Sequence, residues 1–387
     1  MSKAILPEIA FWESFFWPSD VPRYNEVVYS PLYDLLVARW AKSEPNRVAL
    51  LSDNSVLTFG DLDNYVRKIA SGISNTYQNA PAVPRREVEP VNKILYALAC
   101  FLVGTAFPIE STIPLSSSKP KIDSEMISKW ISSNKPAGLS SPSVESIAFL
   151  HSKGENELGV TQKSYDVMIQ SYNSFFQLTK DNSLVVLFDS LLDDLFQVLC
   201  SLARGSAVIL THQLSNLIDM KGLPTGPLHV AADSQSLERL SSSGIQDWRA
   251  RSLTRRIDWI TCLDSRSQAL PYIQKRTGVP FINSFRLPEI GVITANHPSW
   301  PVPSSIGIPI TNIEVRLLNK WNEVMLEAGT VGKLVVSGPF VEEFTYLHGW
   351  TDTQFVTVKG PRKSSMRWLN TGIQAEMDEN GLLYVRN

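Results

Sequence analysis

Ser305-Ile-Gly-Ile-Pro309, Ala328-Gly-Thr-Val-Gly-Lys-Leu-Val-Val-Ser-Gly-Pro339, Leu369-Asn-Thr-Gly-Ile373 and Asp378-Glu-Asn-Gly-Leu-Leu-Tyr384 punctuate the last third of the chain, with Thr353-Gln-Phe355 between them. In each of the four longer runs a glycine stands beside Val, Leu, Ile or Thr, the pattern of short strands joined by tight turns. Val302 to Asn387 is therefore predicted to be a β-rich unit.

The chain before it alternates helical and extended periods. Ser30-Pro-Leu-Tyr-Asp-Leu-Leu-Val-Ala-Arg-Trp-Ala-Lys42 has apolar residues at helical spacing behind a Ser-Pro start. Val48 to Ser52 reads as a strand, and Leu57 to Asp63 leads into a helix through Ile73. Val91 to Ile109 has the form of an apolar helix, a turn at Gly104 and a buried strand. Ile147–Leu150, Leu184–Asp189, Ala207–Leu210, Leu228–Asp233 and Arg256–Leu263 read as further strands. Strands and helices in alternation favour parallel sheets covered on both faces. Gln78–Glu89 reads as a loop, and Ser116–Ser146 as a surface connection with a helical piece at Met126–Trp130.

Composition narrows the function classes. A chain of 387 residues with 43% hydrophobic content holds two or three packed units. Its 36 basic and 38 acidic residues leave a formal charge of -2, which gives no net attraction to nucleic acid or to anionic lipid. Cys100, Cys200 and Cys262 lie far apart in apolar runs and are predicted to be buried thiols of a cytoplasmic protein. No run reaches the roughly 18 apolar residues of a membrane span. Glycine, 20 of 387 residues, falls below the usual ~7%, and phosphate cradles are built from glycine. Phe11-Trp-Glu-Ser-Phe-Phe-Trp17 is too aromatic for a free tail; it packs on its own domain or contacts a preceding module or separate partner.

Taken together, the motifs of the last third, Thr58-Phe-Gly-Asp-Leu62 and Asn283-Ser-Phe-Arg-Leu-Pro-Glu289 resemble the large domain of adenylate-forming enzymes, closest to the adenylation domains of nonribosomal peptide synthetases. The resemblance implies an α/β fold: two α/β subdomains with largely parallel sheets plus a small β-rich, distorted-barrel subdomain. The expected divisions are an aromatic arm at 1–29, the α/β subdomains at 30–183 and 184–301, and the β-rich subdomain at 302–387. In that family the chain continues past the point matching Tyr384-Val-Arg-Asn387 into a mobile lid domain with a catalytic lysine, and we expect that lid to be absent here.

The resemblance also locates a site and its departures. The phosphate-binding loop falls on His151-Ser152-Lys153-Gly154-Glu155-Asn156-Glu157-Leu158, ahead of Gly159-Val160. Active members carry Ser, Thr and Gly there, then Pro-Lys, so that backbone N–H groups wrap the phosphates. Here Glu155 and Glu157 stand where a polyanion would sit, and Lys153 and His151 are out of register with the family's lysine. Like charges at close range cost several kcal/mol in a desolvated site. The run reads as a plain surface loop or as a residual phosphate contact.

After Thr371-Gly372 the family has an Asp for the ribose hydroxyls, and this chain has Ile373. Losing a charged acceptor removes about 1.5–3 kcal/mol of binding. Asp189 matches the carboxylate that holds a substrate amine, and a strand-end Asp is equally a helix N-cap. The family's Gly-Gly-Glu is replaced by Leu263-Asp-Ser265. Asn283, Phe285 and Glu289 match the family's next motif, in which the glutamate helps hold magnesium, while Arg286 replaces its glycine and Pro288 its threonine. Arg286 fills the ligand volume as a plug or ion pair, or else forms a new anion site. The five histidines show no pair at metal-ligand spacing.

Four departures at one site, the phosphate loop, the ribose Asp, the glycine beneath the ligand and the lid lysine, imply a catalytically degenerate adenylation-like domain. On this reading it has no catalytic residue, no cofactor and no metal. It serves as a structural or protein-interaction module in nonribosomal peptide or related secondary-metabolite biosynthesis, with a synthetase module or carrier protein as partner. A second reading keeps ATP- and Mg-dependent activation of an amino or carboxylic acid, supported by Asp189 and Glu289, with a lid supplied in trans. A third is a binding module for an anionic ligand or acyl carrier through Arg286.

Overall fold

The structure, a computed structural model, describes residues 17–77, 82–84, 88–109, 120–153, 156–187, 195–218, 220–232, 236, 254–262, 274–275, 278–287, 291–302, 304–342, 345–347, 355–358 and 367–386. Most of the aromatic arm, Gly154, Glu155, Asp189, Leu263 to Ser265 and Glu289 lie outside the described residues.

Along the chain run β1 (Val48–Ser52), β2 (Ser55–Thr58), β3 (Val83–Pro84), β4 (Phe107–Ile109), β5 (Lys121–Ile122), β6 (Ile147–Lys153), β7 (Asn156–Thr161), β8 (Ser183–Leu187), β9 (Val208–Thr211) and β10 (Leu228–Ala232). There follow β11 (Ile257–Cys262), β12 (Phe281–Leu287), β13 (Gly291–Ala295), β14 (Ile308–Pro309), β15 (Glu314–Leu318), β16 (Gly332–Ser337), β17 (Thr345–Leu347), β18 (Phe355–Val356), β19 (Trp368–Met377) and β20 (Leu383–Arg386). The helices are α1 (Arg39–Ser43), entered through a π-turn at Asp34–Ala38, α2 (Phe59–Tyr77), α3 (Pro90–Val103), α4 (Ser124–Ser133), α5 (Gln162–Phe175), α6 (Leu195–Ala203) and α7 (Pro339–Glu342).

The largest sheet has nine strands in the order β14-β13-β12-β11-β10-β8-β9-β1-β2. Its interior from β1 to β12 is parallel, and antiparallel pairs close both ends. Four of its central strands, β8, β9, β10 and β11, are buried almost throughout, as expected of strands covered on both faces. A four-stranded sheet, β17-β7-β6-β4, is parallel only between β4 and β6. The last third forms the antiparallel order β15-β16-β19-β18, with β20 also on β19. Cys100, Cys200 and Cys262 are free and buried, as the sequence predicts. Among the described residues no helix is long and apolar enough to cross a membrane.

Helix α5 joins these layers. Its rings and their neighbours form a continuous run: Phe149 to Tyr165 at 4.2 Å between centroids, Tyr165 to Phe196 at 5.8 Å, Phe196 to Tyr172 at 5.5 Å and Tyr172 to Phe176 at 4.6 Å. Phe176 then stacks on Trp259 at 6.0 Å. The run connects β6 of the four-stranded sheet to β11 of the large one, and each ring adds large buried area.

The other face of α5 is polar and holds residues 17–32 in an extended path. Leu32 N–H donates to Gln162 Oε1 and Ser30 N–H to Asp166 Oδ2, both at 2.8 Å. Gln170 Nε2 donates to Val28 O at 3.0 Å, Asn25 Nδ2 to Ser174 Oγ at 2.6 Å and Gln177 Nε2 to Asp20 O at 3.0 Å. The α5 positions, Gln162, Asp166, Gln170 and Ser174, are spaced four apart, so they share one helix face, and Gln177 follows just past the helix end. Burial pushes the Asp166 carboxyl up to about 6, against hydrogen bonds that favour its charge. Trp17, the last ring of the aromatic arm, donates to Val21 O at 2.6 Å and packs edge-on against Phe175 at 5.8 Å, so this end of the arm docks on its own chain.

The surface connection at Ser116–Ser146 is more firmly anchored than its composition suggests. Asp123 caps α4 by accepting from Met126 N–H, and Ile127 and Trp130 are buried. The Trp130 indole lies directly over Gly72 of α2, where a Cβ would collide with the ring. Replacing Gly72 with Ala gains about 1 kcal/mol of helix propensity but forces overpacking that costs roughly 1–3 kcal/mol. We expect a net loss of stability in urea unfolding; a stabilised Gly72→Ala variant would show that the indole moves freely.

Candidate functional site

The residues at the phosphate-loop position do not form a surface loop. β6 continues through Lys153 and β7 begins at Asn156, with Lys153 paired to Asn156, so only Gly154 and Glu155 connect the strands. A Gly-X connection between alternating strands is a two-residue hairpin signal. Both strands are interior: Ala148 to His151 and Leu158 to Thr161 are all buried. The hairpin is also interior to its sheet. β4 flanks Phe149 to His151 and β17 flanks Glu157 to Gly159. Strands flanked on both sides spend their N–H groups on their neighbours, so Phe149 to His151 and Glu157 to Gly159 present no run of free amides for an anion.

His151 is 5% exposed, and its Nε2 has no hydrogen-bond partner. Burial lowers its pKa to about 4, so the ring is neutral at pH 7 and supplies no charge for a phosphate. His151 therefore brings no cation to offset Glu155 and Glu157.

Thr371 and Ile373 fall in a bulge of β19. Lys333 pairs with Gln374 and Val335 with Asn370, so Leu334 of β16 faces three residues of β19, Thr371 to Ile373. Asn370 Oδ1 accepts from Gly372 N–H at 3.1 Å, and Gly372 takes φ 76°. Thr371 Oγ1 donates to Leu334 O at 2.8 Å and accepts from Ile373 N–H at 3.2 Å. The threonine hydroxyl is thus committed to holding the bulge. Half-buried Ile373 offers only alkane at this position.

Phe285 and Arg286 share β12, separated by a bulge against β13; Phe285 pairs with Thr294 and Arg286 with Val292. Both are half-buried, and Phe285 packs against the main core. Bare backbone does occur at the end of this hairpin, at Gly291 with φ 110°, but a Cβ there would lie 2.8 Å from the Phe196 ring. The protein's own aromatic covers it. The structure therefore distributes the expected residues over three elements, β6, β12 and the β19 bulge. Asp189 follows β8 in sequence, and Glu289 lies in the β12–β13 connection; both are outside the described residues.

ATP is the group such a site would hold, and the described residues do not fit it. The described strands of the hairpin are flanked at Phe149 to His151 and Glu157 to Gly159, the ribose position is an alkyl group and the threonine is occupied. No group of three or more His, Cys, Asp or Glu that could hold a metal occurs among the described residues. Phe196 and Tyr165, which carry the aromatic run past this region, were not singled out from sequence. Their only signal was ring density, which reads as ordinary core.

No protein family and no curated protein matches the sequence, but solved structures match the fold. The o-succinylbenzoate CoA synthetase of Bacillus subtilis, bound to a product analogue, superposes with a TM-score of 0.73 at 17% identity, covering 92% of this chain and 78% of that one. The same synthetase has been solved with AMP and with an acyl-adenylate intermediate. VinN gives a TM-score of 0.72 at 16% identity, covering 94% of this chain and 100% of that one. The amide bond synthetase McbA of Marinactinospora thermotolerans gives 0.69 at 16% identity over 92% and 79%. The chain has the fold of the large N-terminal domain of adenylate-forming enzymes.

His151 also makes a pH test. Above about pH 6.5 both folded and unfolded imidazoles are neutral. As pH falls toward 4 the unfolded ring binds a proton first, so stability falls by up to about 1.4 kcal/mol per pH unit. His229 is lowered to about 3 by burial and acts in the same direction. Replacing His151 with Phe should remove its share of the slope and leave a shallower fall, to which His229 still contributes. Parallel urea-derived stability profiles of the two proteins between pH 6.5 and 4.5 would contradict the buried neutral ring.

Proposed function

We propose that this chain is a catalytically degenerate adenylation-like domain. It serves as a structural or protein-interaction module in the cytoplasmic assembly of a nonribosomal peptide or related secondary metabolite. The observation that carries this reading is the hairpin at His151–Leu158, whose strand amides are taken up by neighbouring strands. An adenylation site spends most of its binding energy on phosphate, and phosphate needs oriented donors without competing carboxylates. Ile373 removes a further acceptor. The inferred partner is a protein, a synthetase module or a carrier protein, because a fold without its nucleotide site retains only its surfaces.

Calorimetric titration with ATP and magnesium tests the reading without a guess at the acid. We expect no saturable binding tighter than about 1 mM, equivalent to about −4 kcal/mol. We also expect Ile373→Asp to restore none, since one acceptor does not rebuild a cradle. Saturable binding that Asp189→Ala leaves intact but pyrophosphate exchange links to a carboxylic acid would instead establish residual acid activation.

A further inference from the structure

At the N-terminal edge of the nine-stranded sheet lies a cleft of about 390 Å³ that the reading above does not use. Its walls come from the starts of parallel strands and the turns before them: Val48 of β1, Ser183 of β8, Ala207 ahead of β9 and Gly226 ahead of β10. Asp189, by contrast, follows the other end of β8. Five strand residues separate the two ends by ~17 Å, so this cleft is distinct from the adenylation-like site.

The cleft is built from pinned loops. Arg47 Nε donates to Gly205 O at 2.6 Å, and its Nη2 donates to Lys180 O. Arg256 donates to Pro224 O and, at 2.8 Å, to Gly226 O. Gly226 passes so close to Asp181 O that no Cβ fits between them. These contacts fix the three turns that line the space.

Its charges are incompletely matched. Glu44 bridges Lys180 at 2.9 Å and Arg47 at 3.2 Å, satisfying about one of the two cations. The remaining carboxylate, Asp181, is 77% exposed and stands 3.8 Å from Arg47, a loose contact of low worth. Ser183 is only 2% exposed and lines the cleft with its hydroxyl-bearing side chain. Thr225 brings a second hydroxyl to the same wall.

We propose that this cleft binds the phosphate of a small, water-soluble phosphate monoester. The phosphate oxygens take the place of the loosely held Asp181 beside Arg47 and Lys180. They accept from the Ser183 hydroxyl and match a guanidinium fork better than a distant carboxylate does. The cleft volume is at the lower end of the ~300–1,000 Å³ of ligand sites and exceeds a bare phosphate, leaving room for a short organic remainder.

The test is titration of the full chain with inorganic phosphate, glycerol 3-phosphate and vesicles carrying phosphatidic acid. We expect saturable binding of glycerol 3-phosphate, weaker binding of inorganic phosphate and none of the vesicles. Asp181→Asn should tighten binding about 2–5-fold by removing a competing exposed charge. Lys180→Ala and Ser183→Ala should each weaken it several-fold, and Lys180, half-exposed at its head, can be truncated without disturbing the core. No saturable binding of either soluble anion by wild type or Asp181→Asn overturns the proposal, as does binding indifferent to both weakening variants. ATP binding that survives Lys180→Ala and Ser183→Ala would contradict the degenerate-site reading instead, so the two failures are separable.

Discussion

Everything in this chain hangs on helix α5 being completed on all its faces at once. One face contributes Tyr165 and Tyr172 to the ring run that binds β6 to β11. Its first turn buries Gln162, whose side-chain amide donates to Phe101 O and accepts from Leu32 N–H. Ser164 donates to Phe340 O of α7, within the last third. Ser171 accepts from Asn312, itself held at φ 64° where the β-rich unit begins. A buried hydrogen bond contributes roughly 1 kcal/mol net, and leaving one partner unpaired costs about 1–3 kcal/mol. Sheets distant in sequence are thus registered against one helix by groups that tolerate no loss.

The same packing accounts for the state of the adenylation-like site. Where a nucleotide fold keeps small residues and bare backbone, this chain has a short hairpin buttressed by β4 and β17 and an aromatic, Phe196, over Gly291.

The fold was largely legible before any coordinates. The strands at Val48–Ser52, Val208–Thr211 and Leu228–Ala232, the apolar helix ending at Gly104 and the glycine-punctuated last third all appear where their periodicity placed them. Local pattern carried these because burial on one or two faces leaves a period in the sequence. The segment His151–Leu158 reads as a loop from its polar letters, Ser152, Lys153, Asn156 and Glu157, yet it continues two strands whose His151 and Leu158 are buried. The burial of His151 depends on β4 and β17, strands that pair with the hairpin from far away in sequence.

The sequence by itself determined the fold class, because hydrophobic periodicity and turn chemistry are local properties that survive at 17% identity to a solved relative. It also determined that Ile373 cannot serve a ribose, since an alkyl group accepts no hydrogen bond in any fold. Only the tertiary structure decided that most of the phosphate-loop segment lies in two paired strands, that Thr371 is spent on a bulge, and that Arg47, Lys180 and Ser183 meet at one cleft. Those facts arise from pairings between distant segments, and a linear sequence records the capacity to pair without recording with what.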